Sequence, residues 1–258
     1  MKRYLLLILW LLAVKVCAQQ YTGMSGLIHV PSADMDAAGE ARIGAHFLNR
    51  EFTPEAGFNY KGKYNTISHY LSITPFSWME IGYTCTLQKG LKNQGLNGCT
   101  DVGYYFKDRY FSVKIQPLKE GKWWPAIAIG TNDPYGTNST DGVAKGEQKV
   151  ASGDGKSQYF SNFYIAASKH VGLKGNSLGI HVAYRKWKRN YNSQWNGPVG
   201  GITFQPSFQT NLRLIAEYTG DDVNIGFDWK LWKHLLIQSS LQDGKYFSGG
   251  LCFCINLL

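Results

Sequence analysis

Apolar and polar side chains alternate along this chain with a period of two. From Val223 to Leu231 the odd positions Val223, Ile225, Phe227, Trp229 and Leu231 are apolar, and Asn224, Gly226, Asp228 and Lys230 lie between them. Successive side chains of a β-strand point to opposite faces, so such a segment has one greasy face and one polar face. The same pattern runs through Leu212, Leu214 and Ala216, and through Phe247, Gly249, Leu251, Phe253 and Ile255. The separators Gly-Asp-Asp, Trp-Lys-His and Asp-Gly-Lys read as tight turns between antiparallel strands. Thirteen segments follow from this reading: 41–48, 64–73, 79–87, 100–106, 110–117, 125–131, 159–169, 177–187, 198–206, 209–218, 223–231, 234–242 and 246–257. No amphipathic helical period of ten or more residues interrupts them.

The greasy positions include Ile43, Phe47, Ile81, Tyr83, Phe111, Val113, Ile129, Phe163, Ile165, Ile180, Val182, Ile202 and Phe204, with Val102, Tyr104 and Phe106 in the segment at 100–106. The opposite face carries Arg42, His46, Glu80, Asp101, Lys114, Asn162, His181, Arg185, Thr203, Arg213, Glu217, Asp228, Lys230 and Gln238. A soluble sandwich turns its greasy face inward, and a membrane barrel turns it outward. Three features favour the barrel. The segments approach the nine to eleven residues of a tilted transmembrane strand. Aromatic residues gather near their ends (Phe76, Trp78, Phe106, Tyr110, Trp123, Trp124, Trp187, Trp195, Phe204, Phe208, Trp229 and Trp232), as in an interfacial girdle. Ionisable groups recur on the other face, as in a polar lumen. The expected fold is therefore all-β: a single antiparallel transmembrane β-barrel of about 12–14 strands, an even number being usual. The span 132–157 is either a long connection or the site of a weak extra strand.

Composition agrees with strands and tight turns: 14% aromatic residues and 29 glycines, against 17% charged residues in 258. The chain reads as one β-domain, 40–258, after two short N-terminal pieces. Lys2 and Arg3 precede the apolar run Tyr4 to Val14, and Val16-Cys17-Ala18 resembles a cleavage site, so 1–18 is expected to be a signal peptide. Lipidation of Cys17 would call for a small residue before it, and Val16 is not one. Segment 19–39 contains Leu27, Ile28 and Val30, too apolar for a tail in water, and is expected to dock in or under the barrel.

Loss of Lys2, Arg3 and Lys15 reduces the 27 basic residues to 24 against 18 acidic, a net charge of +6. That is a mild attraction to anions and no nucleic-acid signature. Eight ionisable residues with inward parity are the candidate lumen charges: Arg42, Asp101, Lys114, Arg185, Arg213, Glu217, Asp228 and Lys230. The densest basic run, Arg185, Lys186, Lys188 and Arg189, is interleaved with Trp187, Tyr191 and Trp195. Together these seven form a candidate rim for glycan or lipopolysaccharide, with rings against sugar faces and cations on anionic groups.

Cys85, Cys99, Cys252 and Cys254 remain after the leader. Cys85 and Cys99 have opposite parity and Cys252 and Cys254 sit two apart on one strand, so unpaired cysteines are favoured. No Cys or His spacing marks a metal site, and no cofactor is expected. Ser68 and His69 are adjacent and hence on opposite faces. His46 and His181 share the polar parity and could meet in space, but no nucleophile signature surrounds them. Catalysis is not expected.

Several stretches together resemble the YjbH-type exopolysaccharide biosynthesis family of outer-membrane proteins. They are Gly26-Leu27-Ile28 with Pro31-Ser32-Ala33, Thr74-Pro75-Phe76-Ser77-Trp78-Met79-Glu80-Ile81-Gly82, Lys114-Ile115-Gln116 with Trp124-Pro125-Ala126-Ile127-Ala128-Ile129-Gly130, Tyr159-Phe160-Ser161 leading to Ala167-Ser168-Lys169, and Ala216-Glu217-Tyr218. The resemblance implies an outer-membrane barrel linked to secretion of extracellular polysaccharide. The expected function is a non-enzymatic barrel assisting exopolysaccharide export or surface polysaccharide assembly. A general porin or structural barrel, and a soluble secreted carbohydrate-binding β-protein, are the alternatives. Expected partners are outer-membrane lipid, lipopolysaccharide, an anionic polysaccharide and other export components.

Overall fold

The structure is a computed structural model and describes residues 19–53, 64–91, 100–135, 158–188 and 190–258. The expected signal peptide, Cys99 and Arg189 lie outside the described residues, as does most of the span 132–157.

Twelve strands form one closed antiparallel ring: β1 (Glu40–Leu48), β2 (Thr66–Phe76), β3 (Met79–Leu91), β4 (Val102–Leu118), β5 (Ala126–Asn132), β6 (Asn162–Leu173), β7 (Asn176–Trp187), β8 (Gly197–Gln205), β9 (Leu212–Tyr218), β10 (Val223–Leu231), β11 (Leu235–Gln242) and β12 (Tyr246–Asn256). Each strand pairs with its neighbours in sequence, and β1 closes the ring on β12 with Ile43 opposite Phe253. Closure gives every strand a partner on both sides, with only overhangs such as the part of β4 before Ser112 extending past the shorter β5. Several hairpins turn through consecutive positive-φ residues, Lys174 and Gly175, Trp232 and Lys233, and Asp243 and Gly244, the backbone that right-twisted hairpins favour.

The ring has one strand fewer than the thirteen segments of the sequence pattern, because 100–106 and 110–117 are one strand, β4. Lys107, Asp108 and Arg109 imitate a turn, yet Asp108 is buried between two exposed neighbours and continues the alternation. What separates the two segments is a change of face. The β3–β4 register shifts between Gln88 and Gly90, where Phe106 pairs with Gln88 but Gly103 with Gly90. The extra residue on β4 is a bulge, and a bulge moves the following side chains to the other face.

The apolar face points out. Ile43 is 61% exposed, Val182 56% and Leu251 56%, and Phe111, Phe163, Ile165, Ile180, Ile202 and Trp229 are exposed with them. Trp78, Trp123, Trp124, Phe208 and Trp232 are exposed at strand ends. Tyr110, Trp187 and Trp195 are corrections to the aromatic girdle: all three point inward and are buried.

The polar face points in, and the lumen is filled. Met24, Leu27, Ile28, Val30 and Ala33, from the segment preceding β1, are buried inside the ring. Leu27, Ile28, Val30 and Ala33 pack against Ala126, Ala128, Tyr164, Ala166, Ala183, Val199 and Ile215. Space for them comes from small inward residues. A Cβ on Gly226 would sit 2.6 Å from Ile28 Cδ1, and one on Gly82 2.8 Å from Met24 Sδ. Cys252 and Cys254 also face inward and are unbridged, their Sγ atoms 3.8 Å apart, and Cys85 is free.

Candidate functional site

The inner segment satisfies part of its backbone itself, through two isolated bridges, Gln19 with Ser25 and Gly26 with Pro31, and a few turn bonds; its other buried polar groups need partners elsewhere. The wall charges supply them. Glu80 on β3 accepts from Ser25 N at 2.8 Å and from Ser25 Oγ at 2.6 Å. Lys114 on β4 pairs with Glu80 at 3.2 Å and donates to the carbonyls of Ser25 (2.8 Å) and Asp34 (2.6 Å). Arg185 on β7 donates to His29 O at 2.8 Å and Thr219 O at 3.0 Å. Arg213 on β9 pairs with Asp228 on β10 at 2.6 Å and reaches Gly26 O at 3.2 Å. Gln238 on β11 bridges Asp228 and Gln19 O. Arg42 on β1 pairs with Asp36. Hydroxyls complete the set: Ser68, Ser72 and Thr84 donate to the carbonyls of Tyr21, Gly23 and Thr22.

The densest anchor is Glu217 on β9. Its carboxylate accepts from Ile28 N (3.1 Å), His29 N (3.0 Å) and Val30 N (3.1 Å), and lies 3.1 Å from His29 Nδ1 and 3.0 Å from Asn224 Nδ2. Three successive N–H groups on one carboxylate form an anion nest, with the wall supplying the anion.

The candidate lumen charges thus meet in one network, with two exceptions. Lys230 pairs with Glu40 at 3.3 Å, nearer the end of the barrel. Asp101 is a correction: it is exposed, precedes β4, and accepts from Tyr105 Oη at 2.5 Å. Asp101 has the polar parity of its own segment, opposite to Val102 and Tyr104, but it precedes the first residue of β4, so it stands past the end of the wall in solvent rather than in the lumen. His46 and His181 stand on β1 and β7, on opposite sides of the ring.

The candidate rim divides by parity. Lys186 and Lys188 are exposed, whereas Arg185, Trp187 and Trp195 are buried; the Tyr191 side chain lies outside the described set. The buried three line a small, partly open void of about 20 Å³, room for about one water, with Tyr21, His29, Phe52 and Thr219. It lies at the end of the barrel where the long connections 49–65, 133–161 and 188–196 emerge. Its walls are aromatic: Trp187 and Trp195 have ring centroids 5.6 Å apart, His29 stacks on Phe52 at 3.8 Å, and Arg185 lies 5.1 Å from the Trp187 ring centre. Burial pushes the Tyr21 phenol up to about 12, outweighing the field of Arg185, so it stays protonated at neutral pH. Trp187 Nε1 and His29 Nε2 are buried donors or acceptors with no protein partner among the described residues. A void of that size takes one water between those two polar atoms and no sugar ring. Sequence spacing could not show that His29, Phe52 and Thr219 join Trp187 and Trp195.

A Ser-His-Asp grouping also arises inside the ring. Ser168 Oγ lies 2.9 Å from His181 Nδ1, and Asp34 Oδ2 lies 3.7 Å from that same nitrogen. A hydrolytic triad needs the nucleophile and the carboxylate on opposite ring nitrogens. Here Nε2 faces Thr203 Oγ1 at 3.0 Å instead.

These features define a class: a closed twelve-stranded barrel with an apolar exterior and a lumen filled by its own N-terminal segment. The family model described as exopolysaccharide biosynthesis protein YbjH matches residues 18–258, and the chain belongs to that family. The uncharacterized lipoprotein YjbH of Escherichia coli (strain K12) is 25% identical over 230 residues, which cover 83% of this chain and 30% of that protein. The chain therefore spans about a third of that relative's length. Among solved structures, the outer membrane phospholipase A of Escherichia coli is 10% identical, with 85% of this chain and 96% of that one covered and a TM-score of 0.36. Wzi, an Escherichia coli outer membrane protein involved in group 1 capsule assembly and described as a carbohydrate-binding β-barrel, is 11% identical, with coverages of 74% and 52% and a TM-score of 0.30. No residue role is carried over from either.

Proposed function

We propose that this chain is an outer-membrane barrel that assists exopolysaccharide export or surface polysaccharide assembly without catalysis and without passing the polymer through its own lumen. The observation that carries this reading is the filled lumen, in which wall charges bind the backbone of residues 19–36 rather than water. Membership of an exopolysaccharide biosynthesis family supports the polysaccharide role. The continuous outward apolar surface supports a lipid environment and counts against a soluble carbohydrate-binding protein. Short turns gather at one end and long connections at the other, which supports an extracellular position for the mouth beside Lys186 and Lys188, by the usual orientation of such barrels. Contact with the polymer, or with lipopolysaccharide, then falls to the exposed Lys186 and Lys188, whereas Arg185, Trp187 and Trp195 of the same run are buried behind them. The arrangement of Ser168, His181 and Asp34 supports the non-catalytic part.

The test is complementation of a strain lacking the gene. A chain with Lys186→Gln and Lys188→Gln should reach the outer-membrane fraction with unchanged thermal stability and give less surface polysaccharide. Wild-type output from that well-folded variant removes these lysines from the mechanism. Recovery of the unaltered protein in the soluble fraction overturns the membrane location.

A further inference from the structure

Away from the mouth, at the end of the barrel with the short turns, three metal-binding side chains from separate parts of the chain converge. Asp34 belongs to the inner segment, His170 to β6 and His181 to β7. One ligand atom from each lies within 4.8 Å of the other two. Asp34 Oδ1 is 3.8 Å from His170 Nε2, and Asp34 Oδ2 is 3.7 Å from His181 Nδ1. Donor atoms at ~2.0–2.1 Å from one tetrahedral Zn²⁺ stand roughly 3.3 Å apart, so small side-chain rotations would close the set.

We propose that Asp34, His170 and His181 form a site for one divalent transition-metal ion, with Zn²⁺ as the type case, that fastens the inner segment to the β6–β7 wall. The donor set, two imidazoles and a carboxylate, suits zinc and its neighbours rather than calcium or magnesium, which take oxygen ligands.

The second nitrogen of each ring gives independent support. His170 Nδ1 lies 2.8 Å from Glu120 Oε2, and Glu120 Oε1 also accepts from His170 N at 2.8 Å. A carboxylate behind a histidine is the arrangement that fixes tautomer and ring orientation at metal sites, here turning Nε2 toward Asp34. His181 Nε2 is held by Thr203 Oγ1 at 3.0 Å, which leaves Nδ1 as the metal-facing atom. The two rings stand nearly edge-on, with centroids 5.4 Å apart and planes at 71°. Ser168 competes, since its hydroxyl lies 2.9 Å from His181 Nδ1 and accepts from Ala33 N. On metal binding that hydroxyl would release Nδ1 and keep its bond to Ala33. Lys169 pairs with Glu120 at 3.1 Å, and Lys114 and Arg213 are further cations of the surrounding wall. They lower affinity without occupying the donor atoms.

The site adds what the hydrogen bonds to Glu80 and Glu217 do not: a fastening of the C-terminal part of the inner segment that depends on metal supply. It stands independently of the polysaccharide reading. The full-length protein, purified in detergent and stripped with EDTA, should take up one Zn²⁺ per chain by elemental analysis and unfold at a higher temperature. Co²⁺ should give the visible absorption of a nitrogen- and oxygen-ligated centre. His170→Ala, at a partly exposed position where misfolding is not expected, should abolish both the stoichiometric zinc and the stabilisation. Glu120→Gln should weaken binding about 10–100-fold, and His234→Ala, at a remote exposed histidine, should leave it unchanged. Absence of stoichiometric zinc from the unaltered protein, or unchanged zinc binding by a folded His170→Ala chain, overturns the proposal.

Discussion

Glu217 holds His29 twice, through the backbone N–H at 3.0 Å and through ring Nδ1 at 3.1 Å, although the two residues are 188 positions apart. Both are buried, and the same carboxylate also takes the N–H groups of Ile28 and Val30. Removing one partner of such an arrangement strands the others without water. Glu217→Ala should therefore cost about 3–5 kcal/mol in urea unfolding in detergent, with Glu217→Gln between it and the unaltered chain. Glu51→Gln, in the 3-10 turn Arg50–Phe52 and paired at the surface with its neighbour Arg50, should stay within about 0.5 kcal/mol.

Neighbouring positions on β10 should respond to arginine for different reasons. Phe227 has the outward parity, and Phe227→Arg should cost roughly 2–4 kcal/mol if the residue lies near the bilayer midplane. Sequence alone makes inward substitution at Asn224 or Gly226 the milder change, on the premise of a wet lumen. The filled lumen reverses that. Asn224 is buried against Glu217, and any side chain on Gly226 collides with Ile28. Gly226→Arg should thus be at least as damaging as Phe227→Arg in refolding yield and unfolding midpoint, and better tolerance at Gly226 would argue for an open interior.

Trp187 and Lys186 are consecutive but serve different sides of the wall. Trp187 is 5% exposed and packs on Trp195, so Trp187→Ala should cost about 3–5 kcal/mol. Lys186→Ala should leave the unfolding midpoint within experimental error. Equal midpoints for the two variants would contradict the assigned parity at the end of β7.

Tyr21 supplies a pH signature. Its phenol titrates near 10.0 when exposed and at about 12 inside the barrel, chiefly through burial. Between those values the unfolded chain loses this proton and the folded chain keeps it, so stability falls as pH rises from 10 toward 12. The loss attributable to this group is on the order of 2–3 kcal/mol. Unfolding midpoints of the unaltered chain and of Tyr21→Phe should diverge over that window, the variant showing the shallower decline.

The ring of strands was legible because its signal is local. Period-two alternation at Glu80, Lys114, Arg185, Arg213, Glu217 and Asp228 needs no knowledge of neighbours, and each of these side chains faces the lumen. The division of β4 is misleading in the sequence because a bulge changes parity without breaking the strand, and Asp101 because alternation tells which face a residue takes but not where the wall ends. Trp187, Trp195 and Tyr110 were read as girdle because an aromatic near a strand end looks the same whether it faces lipid or a packed interior. The filled lumen does leave a signal in the sequence: Ala126, Ala128, Ala166, Ala183 and Gly226 are small residues at inward positions, where a water-filled channel sets no such limit on size. The convergence of Asp34, His170 and His181 could not be seen, since it depends on how the inner segment threads the ring.

The filled lumen is tested most directly by conductance. The full-length protein reconstituted in planar lipid bilayers should show no steady ion current, because residues 19–36 occupy the path and are bonded to the wall around it. Lys114→Ala combined with Glu217→Ala, which removes two of those anchors, should give intermittent openings. Large, stable conductance through the unaltered protein would contradict the closed barrel and return the porin reading.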